Sequence, residues 1–320
     1  RRLEKNKLNY SALEALIQRL AVGSFGLRAD RLKSYMGTTD FKKNILVIEK
    51  HIKSLAYNKN NLLSFEEFNS ILKTEVFGIV LTAHPTFGMT YQMMIELAKL
   101  ATSKEQKKYL TDKELKKIVK EVFKTEQRPE KKITLDFEHE LSMSALKYLQ
   151  KSLKTFFKVV LDVSKNLYPD DYHHIQPQIF KLYTWVGYDV DGRGDIFWND
   201  SFAKRLEVKL AQLELYNESL DDLIKDSKSK SLKKELYKVK EILNNSISSN
   251  TEAHESFSKK GFVDDFSLIK KISNFMHKNK SKLLTNTDQL IIIFDQLIAS
   301  IRKKEIYEKQ KVIDNLILMR

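Results

Sequence analysis

Three residue types are absent or scarce in this sequence, and their scarcity excludes particular kinds of site and classes of fold. It has no cysteine, which excludes disulfide bonds, thiolate metal sites and cysteine nucleophiles. It has only 9 glycines and 4 prolines in 320 residues, too few turn residues for a sandwich of many short strands. Since 42% of the residues are hydrophobic and 31% are charged, the composition predicts a folded and mostly helical protein.

Long apolar runs are also missing. The run near the end of the chain, Leu290 to Phe294, is far shorter than the roughly 20 residues that span a membrane. The beginning of the sequence has no apolar segment of the signal-peptide type. We therefore expect a soluble cytoplasmic protein that has no membrane partner.

The net charge of +14 raises the question of nucleic-acid binding, because clustered Lys and Arg favour phosphate backbones. The lysines, however, alternate with glutamates along helical segments, as at residues 113–117 and 233–235. This pattern is typical of solvated helix faces, and no finger, recognition-helix or RNP pattern accompanies it. We expect no nucleic-acid partner.

The two ends suggest a piece of a longer protein. The chain starts with Arg1 and Arg2 instead of methionine, and it stops after Met319 and Arg320 without a helix stop signal such as Gly or Pro. We expect a fragment, and a fragment limits what any site can do alone.

Apolar residues recur at helical spacing through most of the chain. Capping boxes open two of the predicted helices, at Ser64 and Thr111. The Asn- and Ser-rich stretch 244–260 predicts a flexible loop or a boundary. The helices are predicted at residues 8–22 (closed by Gly23 and Gly26), 41–55, 64–72, 89–101, 111–122, 135–167, 200–226, 232–243, 266–276 and 288–318.

Two short apolar runs predict buried strands. The first, Val76 to Leu81, is followed by polar residues that include His84, and the second, Ile179 to Val186, is followed by a turn rich in glycine and aspartate. Active sites of α/β proteins lie at the carboxyl ends of their strands. Pro85 restricts His84 to extended backbone, and an imidazole there can transfer a proton near neutral pH. A histidine that only caps the strand explains the pattern equally well.

The turn after the second strand has two interpretations. As a calcium loop, the aspartates between Asp189 and Asp200 follow the order of EF-hand ligands, although Arg193 occupies a ligand position and no helix is predicted before the loop. As a strand-end loop, the same residues form a glycine-permissive turn that shapes a pocket for a small anion. The residue pattern leaves both open.

Both strand-end segments resemble motifs of one family, the phosphoenolpyruvate carboxylases. VLTAHPT around His84 resembles the family signature VxTAHPT, and WVGYDVDGRG (185–194) resembles the segment WxGGDRDGNP. Between them, Arg128 and Pro129 precede a long predicted helix, as an RP-containing turn does in the family. The order of the motifs fits as well.

The resemblance implies a fold and a reaction. The fold is a mostly α-helical α/β protein with a partial TIM-like barrel, in which a few parallel strands are surrounded by many helices. Residues 1–320 would be the N-terminal part of a single large domain. The reaction is carboxylation of phosphoenolpyruvate by bicarbonate to oxaloacetate and phosphate, a lyase activity that fixes carbon dioxide for the tricarboxylic acid cycle.

The resemblance also implies site residues and partners. His84 is the expected catalytic residue, and the expected substrate-binding residues are Thr86, Asp189, Asp191, Gly192 and Arg193. The implied cofactor is Mg²⁺ or Mn²⁺, whose ligands we expect outside this chain, so no metal ligand is assigned within it. We expect a homo-oligomer at full length and no activity from the isolated fragment.

Three positions depart from the family motifs. Phe87 and Thr90 stand where the signature continues with Glu or Gln and then Arg, and Val190 stands in place of the arginine of GDRDG. Guanidinium groups are the usual means of holding phosphate, and Arg193 can replace part of that charge. A catalytically degenerate homologue with a structural or regulatory role is therefore the alternative within the family.

Overall fold

The computed structural model describes residues 9–36, 40–82, 90–105, 110–125, 133–258, 265–278, 284–304 and 307–320. Helix makes up 76% of these residues, which confirms the mostly helical prediction. The described helices are α1 (Tyr10–Met36), α2 (Phe41–Leu55), α3 (Phe65–Lys73), α4 (Tyr91–Glu105), α5 (Asp112–Lys124), α6 (Leu135–Leu167), α7 (Trp198–Asp226), α8 (Lys230–Phe257), α9 (Phe266–Lys278), α10 (Thr287–Arg302) and α11 (Lys309–Met319).

Four short strands accompany the helices. The first two, β1 (Tyr57–Asn58) and β2 (Asn61–Leu62), form a small antiparallel hairpin. The other two, β3 (Phe77–Leu81) and β4 (Phe180–Thr184), pair in parallel although about a hundred residues separate them, as expected for a crossover connection. Both lie within the predicted strand segments, but the prediction that these strands are buried is wrong. Every residue of β3 and β4 is exposed or half-buried, because the sheet that the described residues form has only these two strands. The described residues contain this one parallel pair, so a barrel of more strands stays a prediction.

The chain divides into two compact units, residues 1–50 with 83–134 and residues 51–82 with 135–320. In the first unit α1, α4 and α5 pack around four buried side chains: Phe25, Met93, Ile118 and Val122. The side-chain amide of Gln18 donates to the carbonyl oxygens of Val122, Phe123 and Thr125. Gln18 thereby satisfies carbonyl groups at the end of α5 that lack partners within the helix.

The second unit is built around α6 and the helical pair α7 and α8. The aromatic ring of Phe156 in α6 packs edge-on against Phe180 in β4, with 4.9 Å between centroids. Helices α7 and α8 are joined by three residues and bury leucines against each other, among them Leu220, Leu232 and Leu236. Fully burying such a side chain stabilises the fold by roughly 1.5–3 kcal/mol. This apolar packing fixes the helices that contact the residues at the end of β4.

Both capping boxes are confirmed. Ser64 and Glu67 exchange side-chain and backbone hydrogen bonds at the start of α3, and Thr111 and Glu114 do the same at the start of α5. Each box satisfies backbone N–H groups that have no partner in the first turn.

The prediction that Gly23 and Gly26 close the first helix is wrong, because α1 continues to Met36. Glycine inside a helix costs about 1 kcal/mol relative to alanine. The helix buries Phe25 between the glycines and Ala21 and Ala29 on either side of them, and this packing outweighs the cost.

The predicted loop at 244–260 is also wrong as far as Phe257, because α8 runs through it. Its polar residues bond within the helix: the amide of Asn250 donates to the carbonyl and hydroxyl oxygens of Ser246. Both residues are buried together with Ala253, so this polar stretch packs as helix. Near the end of the chain, the single helix predicted at 288–318 is two helices, α10 and α11.

None of the helices in the described ranges combines the length and the hydropathy that crossing a bilayer requires.

Candidate functional site

The strands β3 and β4 end together. Their parallel register pairs Leu81 with Thr184, and the backbone N–H of Trp185 donates to the carbonyl of Leu81 at 2.8 Å. The polypeptide therefore leaves both strands at the same edge of the sheet. His84 and Thr86, which follow β3 in the sequence, lie outside the described residues.

A second contact ties the end of β4 to α6. The hydroxyl groups of Ser142 and Thr184 are 2.8 Å apart, and the same Thr184 oxygen accepts the backbone N–H of Val186 at 3.2 Å. Ser142 is buried. The hydrogen bonds fix the direction in which the chain leaves the strand.

The turn after β4 requires glycine at its first corner. Gly187 has φ +90°, a backbone conformation that residues with a Cβ rarely adopt. A Cβ at this position would lie 2.9 Å from Cγ of Lys204 in α7. The Ser201 hydroxyl, also in α7, donates to the Gly187 carbonyl at 2.7 Å. Helix α7 therefore presses directly against the turn.

The turn continues through the candidate substrate-binding residues Asp189, Asp191 and Gly192. The backbone N–H of Arg193 donates to the carbonyl of Asp189 at 3.1 Å and closes the turn. A Cβ on Gly192 would lie 2.6 Å from a carboxylate oxygen of Asp189. Asp189 is half-buried, whereas Asp191 and Gly192 are exposed. The structure thus gathers these residues into one turn at the strand end.

Arg193 is held by two carboxylates. Its Nε and Nη2 donate to Asp195 at 2.9 and 2.7 Å, and its Nη1 donates to Glu138 of α6 at 2.5 Å. These hydrogen bonds raise the pKa of the Arg193 guanidinium and lower the pKa of the Asp195 carboxyl. Two negative charges therefore compensate this cation in the folded protein.

A network of polar side chains, of which Lys204 and His139 are buried, lies beneath the turn. The Lys204 amine donates to Asp136 at 2.7 Å and to Glu207 at 3.1 Å, and these bonds outweigh burial and raise its pKa. Glu207 also bonds Nδ1 of His139 and Nε2 of His254, each at 2.9 Å. Burial alone would raise the pKa of Glu207, but these three partners lower it to about 2.

This network joins α6, α7 and α8 and was not predicted. A signal does exist in the sequence: Glu138, His139 and Ser142 recur at helical spacing where the pattern of α6 calls for apolar residues. Their partners are Arg193 for Glu138, Glu207 for His139 and Thr184 for Ser142, all distant in the sequence.

Ser258, His254 and Glu207 do not form a hydrolase triad. In such a triad the two partners of the histidine bond different ring nitrogens. Here both the Ser258 hydroxyl, at 3.3 Å, and Glu207 approach Nε2 of His254.

The EF-hand alternative for Asp189 to Asp200 is wrong. An EF-hand loop is flanked by two helices, but β4 precedes this loop. Arg193, at a ligand position of that motif, is bound by Asp195 and Glu138.

His173 and His174 belong to a separate network. His173 is buried and bonds Arg302 of α10, and burial, with His174 and Arg302 beside it, lowers its pKa to about 4. No group of three or more His, Asp or Glu side chains that could hold a metal ion occurs among the described residues. The described residues therefore do not fit a divalent-metal site.

The fold and the strand-end turn define a mostly helical protein with a parallel strand pair at its candidate site. The family model described as phosphoenolpyruvate carboxylase matches residues 28–319, nearly the whole chain, and the chain therefore belongs to that family. This confirms the family resemblance and supports a carboxylase-like function at a coarse level. No individual curated protein matches the chain.

Proposed function

We propose that this chain supplies one part of the active site of a phosphoenolpyruvate carboxylase, as the N-terminal part of one large domain with a TIM-like barrel. The single observation that supports this most is the parallel pairing of β3 and β4. Each strand is followed by one of the two motifs that the family places at its site. A common edge is the arrangement that a shared site needs.

The proposed reaction transfers the phosphoryl group of phosphoenolpyruvate to bicarbonate, giving carboxyphosphate and an enolate. Carboxyphosphate then breaks down to carbon dioxide and phosphate, and the enolate carbon adds the carbon dioxide to form oxaloacetate. We assign His84 to these carboxylation steps, where an imidazole can hold or move a proton.

The proposed substrate contacts are Thr86 after β3 and the turn after β4, with Asp189, Asp191, Gly192 and Arg193. Asp195 takes two of the five N–H donors of the Arg193 guanidinium and Glu138 takes one, so each terminal nitrogen keeps one N–H. The Arg193 side chain is 29% exposed, which leaves those donors accessible to an anion. An N–H donor on a cation is a strong partner for phosphate or carboxylate oxygens.

The remaining parts of the proposal follow from the family. Mg²⁺ or Mn²⁺ would be held by residues outside this chain and would stabilise negative charge on the substrates. We propose a cytoplasmic location, a homo-oligomer at full length, and no turnover by the 320-residue chain alone.

A degenerate homologue is the second candidate, and one observation favours it. Thr90 and Val190 replace two arginines of the family motifs. Arg193, a cation within the turn itself, faces two carboxylates, and this group of three charges is net negative. A net negative site attracts a highly charged anion poorly. Such a homologue would keep the fold for assembly or regulation.

Release of phosphate from phosphoenolpyruvate, with and without bicarbonate, separates the two candidates. The full-length protein that carries this chain is assayed with Mg²⁺ or Mn²⁺, and oxaloacetate is measured in parallel. An active carboxylase releases phosphate and forms oxaloacetate in equal amounts, and only when bicarbonate is present. Absence of both products with both metals, in protein shown to be folded by circular dichroism, would establish the degenerate homologue.

A further inference from the structure

The first two turns of α6 carry an unusual set of buried polar side chains. Glu138, His139 and Ser142 lie on one face of the helix and are at most 7% exposed. Each contacts a different part of the strand-end region: Arg193 in the turn, Glu207 in α7 and Thr184 at the end of β4. One face of one helix therefore contacts the turn itself, α7 and the end of β4.

Stability alone does not explain a carboxylate at position 138. Burying a charged pair costs desolvation energy, and apolar residues of similar size often stabilise a core as well or better. An ion pair, however, is directional, and a satisfied polar network selects one geometry. Glu138 is 8% exposed in its side chain and contacts Arg193 across a separation of 55 residues.

Among the hydrogen bonds and ion pairs of the described residues, the one to Arg193 is the only link between Glu138 and the turn. Asp195 accepts hydrogen bonds from Nε and Nη2 of the same guanidinium, on the edge that Glu138 does not contact. The Arg193 side chain is therefore fixed from both sides. The backbone N–H of Arg193 in turn bonds the carbonyl of Asp189. Rotation of the guanidinium would therefore disturb the loop that carries Asp189, Asp191 and Gly192.

We propose that Glu138 is a positioning residue of the strand-end site, which acts through Arg193 to fix the turn of residues 187–195. It does not touch substrate itself. It aims the two remaining N–H groups of Arg193 and holds the half-buried Asp189 carboxylate against Gly192. The link to carboxylation rests on the proposed function, whereas the mechanical role in the turn does not.

Hydrogen exchange of the backbone amides in 187–195 tests the mechanical role on the 320-residue chain. Glu138→Gln removes the charge but keeps the shape, and we expect these amides to exchange about tenfold faster, since the carboxylate–guanidinium ion pair is lost. Glu140→Gln is the matched control, because Glu140 is exposed on the same helix. It should exchange like the wild type.

A double-mutant cycle tests whether Glu138 acts through Arg193. If it does, Glu138→Gln adds no further exchange in a chain that already carries Arg193→Gln, because the shared contact is gone. Fully additive increases, or wild-type exchange in Glu138→Gln, would overturn the proposal. Asp195→Asn, at an exposed position, should speed exchange of the same amides. It tests whether the Arg193 guanidinium fixes the turn even if the Glu138 variant does not fold.

Kinetics of the full-length carboxylase test the link to the reaction. Glu138→Gln should raise the KM for phosphoenolpyruvate severalfold more than it lowers kcat, because the misaimed turn binds the anion less well. Faster exchange with an unchanged KM would contradict the substrate-binding role of the turn, while the mechanical role would stand. Failure of the mechanical role of Glu138 is therefore distinguishable from failure of the proposed substrate binding by the turn.

Discussion

Leu81 and Thr184, the last residues of two parallel strands, are register partners, and the N–H of Trp185 bonds the Leu81 carbonyl at 2.8 Å. The two segments that resemble family motifs therefore start from neighbouring backbone positions. The helix α6 lies against this strand pair through Phe156 and Ser142.

Gly187→Ala should destabilise the second unit by about 1–3 kcal/mol, the usual cost of forcing a residue with a Cβ into such a backbone conformation. The new methyl group would also meet the Lys204 side chain 2.9 Å away. Chemical denaturation measures the change in unfolding free energy.

Gly194→Ala is the control for that substitution. Position 194 lies in the same turn, but apart from its two chain neighbours no residue has an atom within 4 Å of where its Cβ would be. It should change the unfolding free energy by less than about 0.5 kcal/mol, as surface substitutions do. Equal effects of the two substitutions would show that Gly187 is not under the constraint described.

Glu207 should make the protein sensitive to acid. Its pKa is about 2 in the folded protein and about 4.5 when unfolded, so the unfolded chain binds a proton first as the pH falls. The stabilisation is complete above pH 4.5 and is lost towards pH 2. Glu207→Gln should be less stable at pH 7, because its bonds to His139, His254 and Lys204 weaken, and should lose less stability over that window.

The measurement is thermal or urea unfolding at several pH values. Glu214→Gln, at an exposed position of the same helix, serves as the control and should parallel the wild type. An unchanged acid dependence in Glu207→Gln would mean that the carboxylate does not stabilise the junction of α6, α7 and α8.

His173 should make the unfolding free energy depend on pH in a milder range than Glu207 does. Burial, followed by the nearby His174 and Arg302, lowers its pKa from 6.5 to about 4, so protonation favours the unfolded chain. Stability is full above pH 6.5 and declines as the pH falls to 4, with a limiting slope of about 1.4 kcal/mol per pH unit for one proton. His173→Gln keeps an acceptor for Arg302 and should flatten this decline. His51→Gln, at an exposed position, should not.

Much of the fold was predictable because local patterns determine it. Helical periodicity predicted most helices, and the Ser64 and Thr111 boxes marked two helix starts. The errors arose where tertiary packing overrides local preference. Gly23 and Gly26 stay helical because Phe25 is buried between them, and Ser246 and Asn250 stay helical because they bond each other in a buried position.

The candidate site was predictable only in part. Short apolar runs and the resemblance indicated the two strand ends, because a short apolar run that stops in polar residues is a local signal. The pairing of Arg193 with Glu138 and of Lys204 with Asp136 joins residues far apart in sequence. No local pattern encodes such pairs, and so the supporting network of α6 was missed.

The central claim, that the edge where β3 and β4 end is part of a carboxylase site, is tested most directly by oxaloacetate formation in His84→Asn full-length protein. The assay contains phosphoenolpyruvate, bicarbonate and divalent metal, and His51→Asn is the matched control. The account predicts that His84→Asn falls at least about a hundredfold below the wild type, as loss of a proton-transferring group does, while the control keeps its turnover. Full turnover in His84→Asn would contradict it.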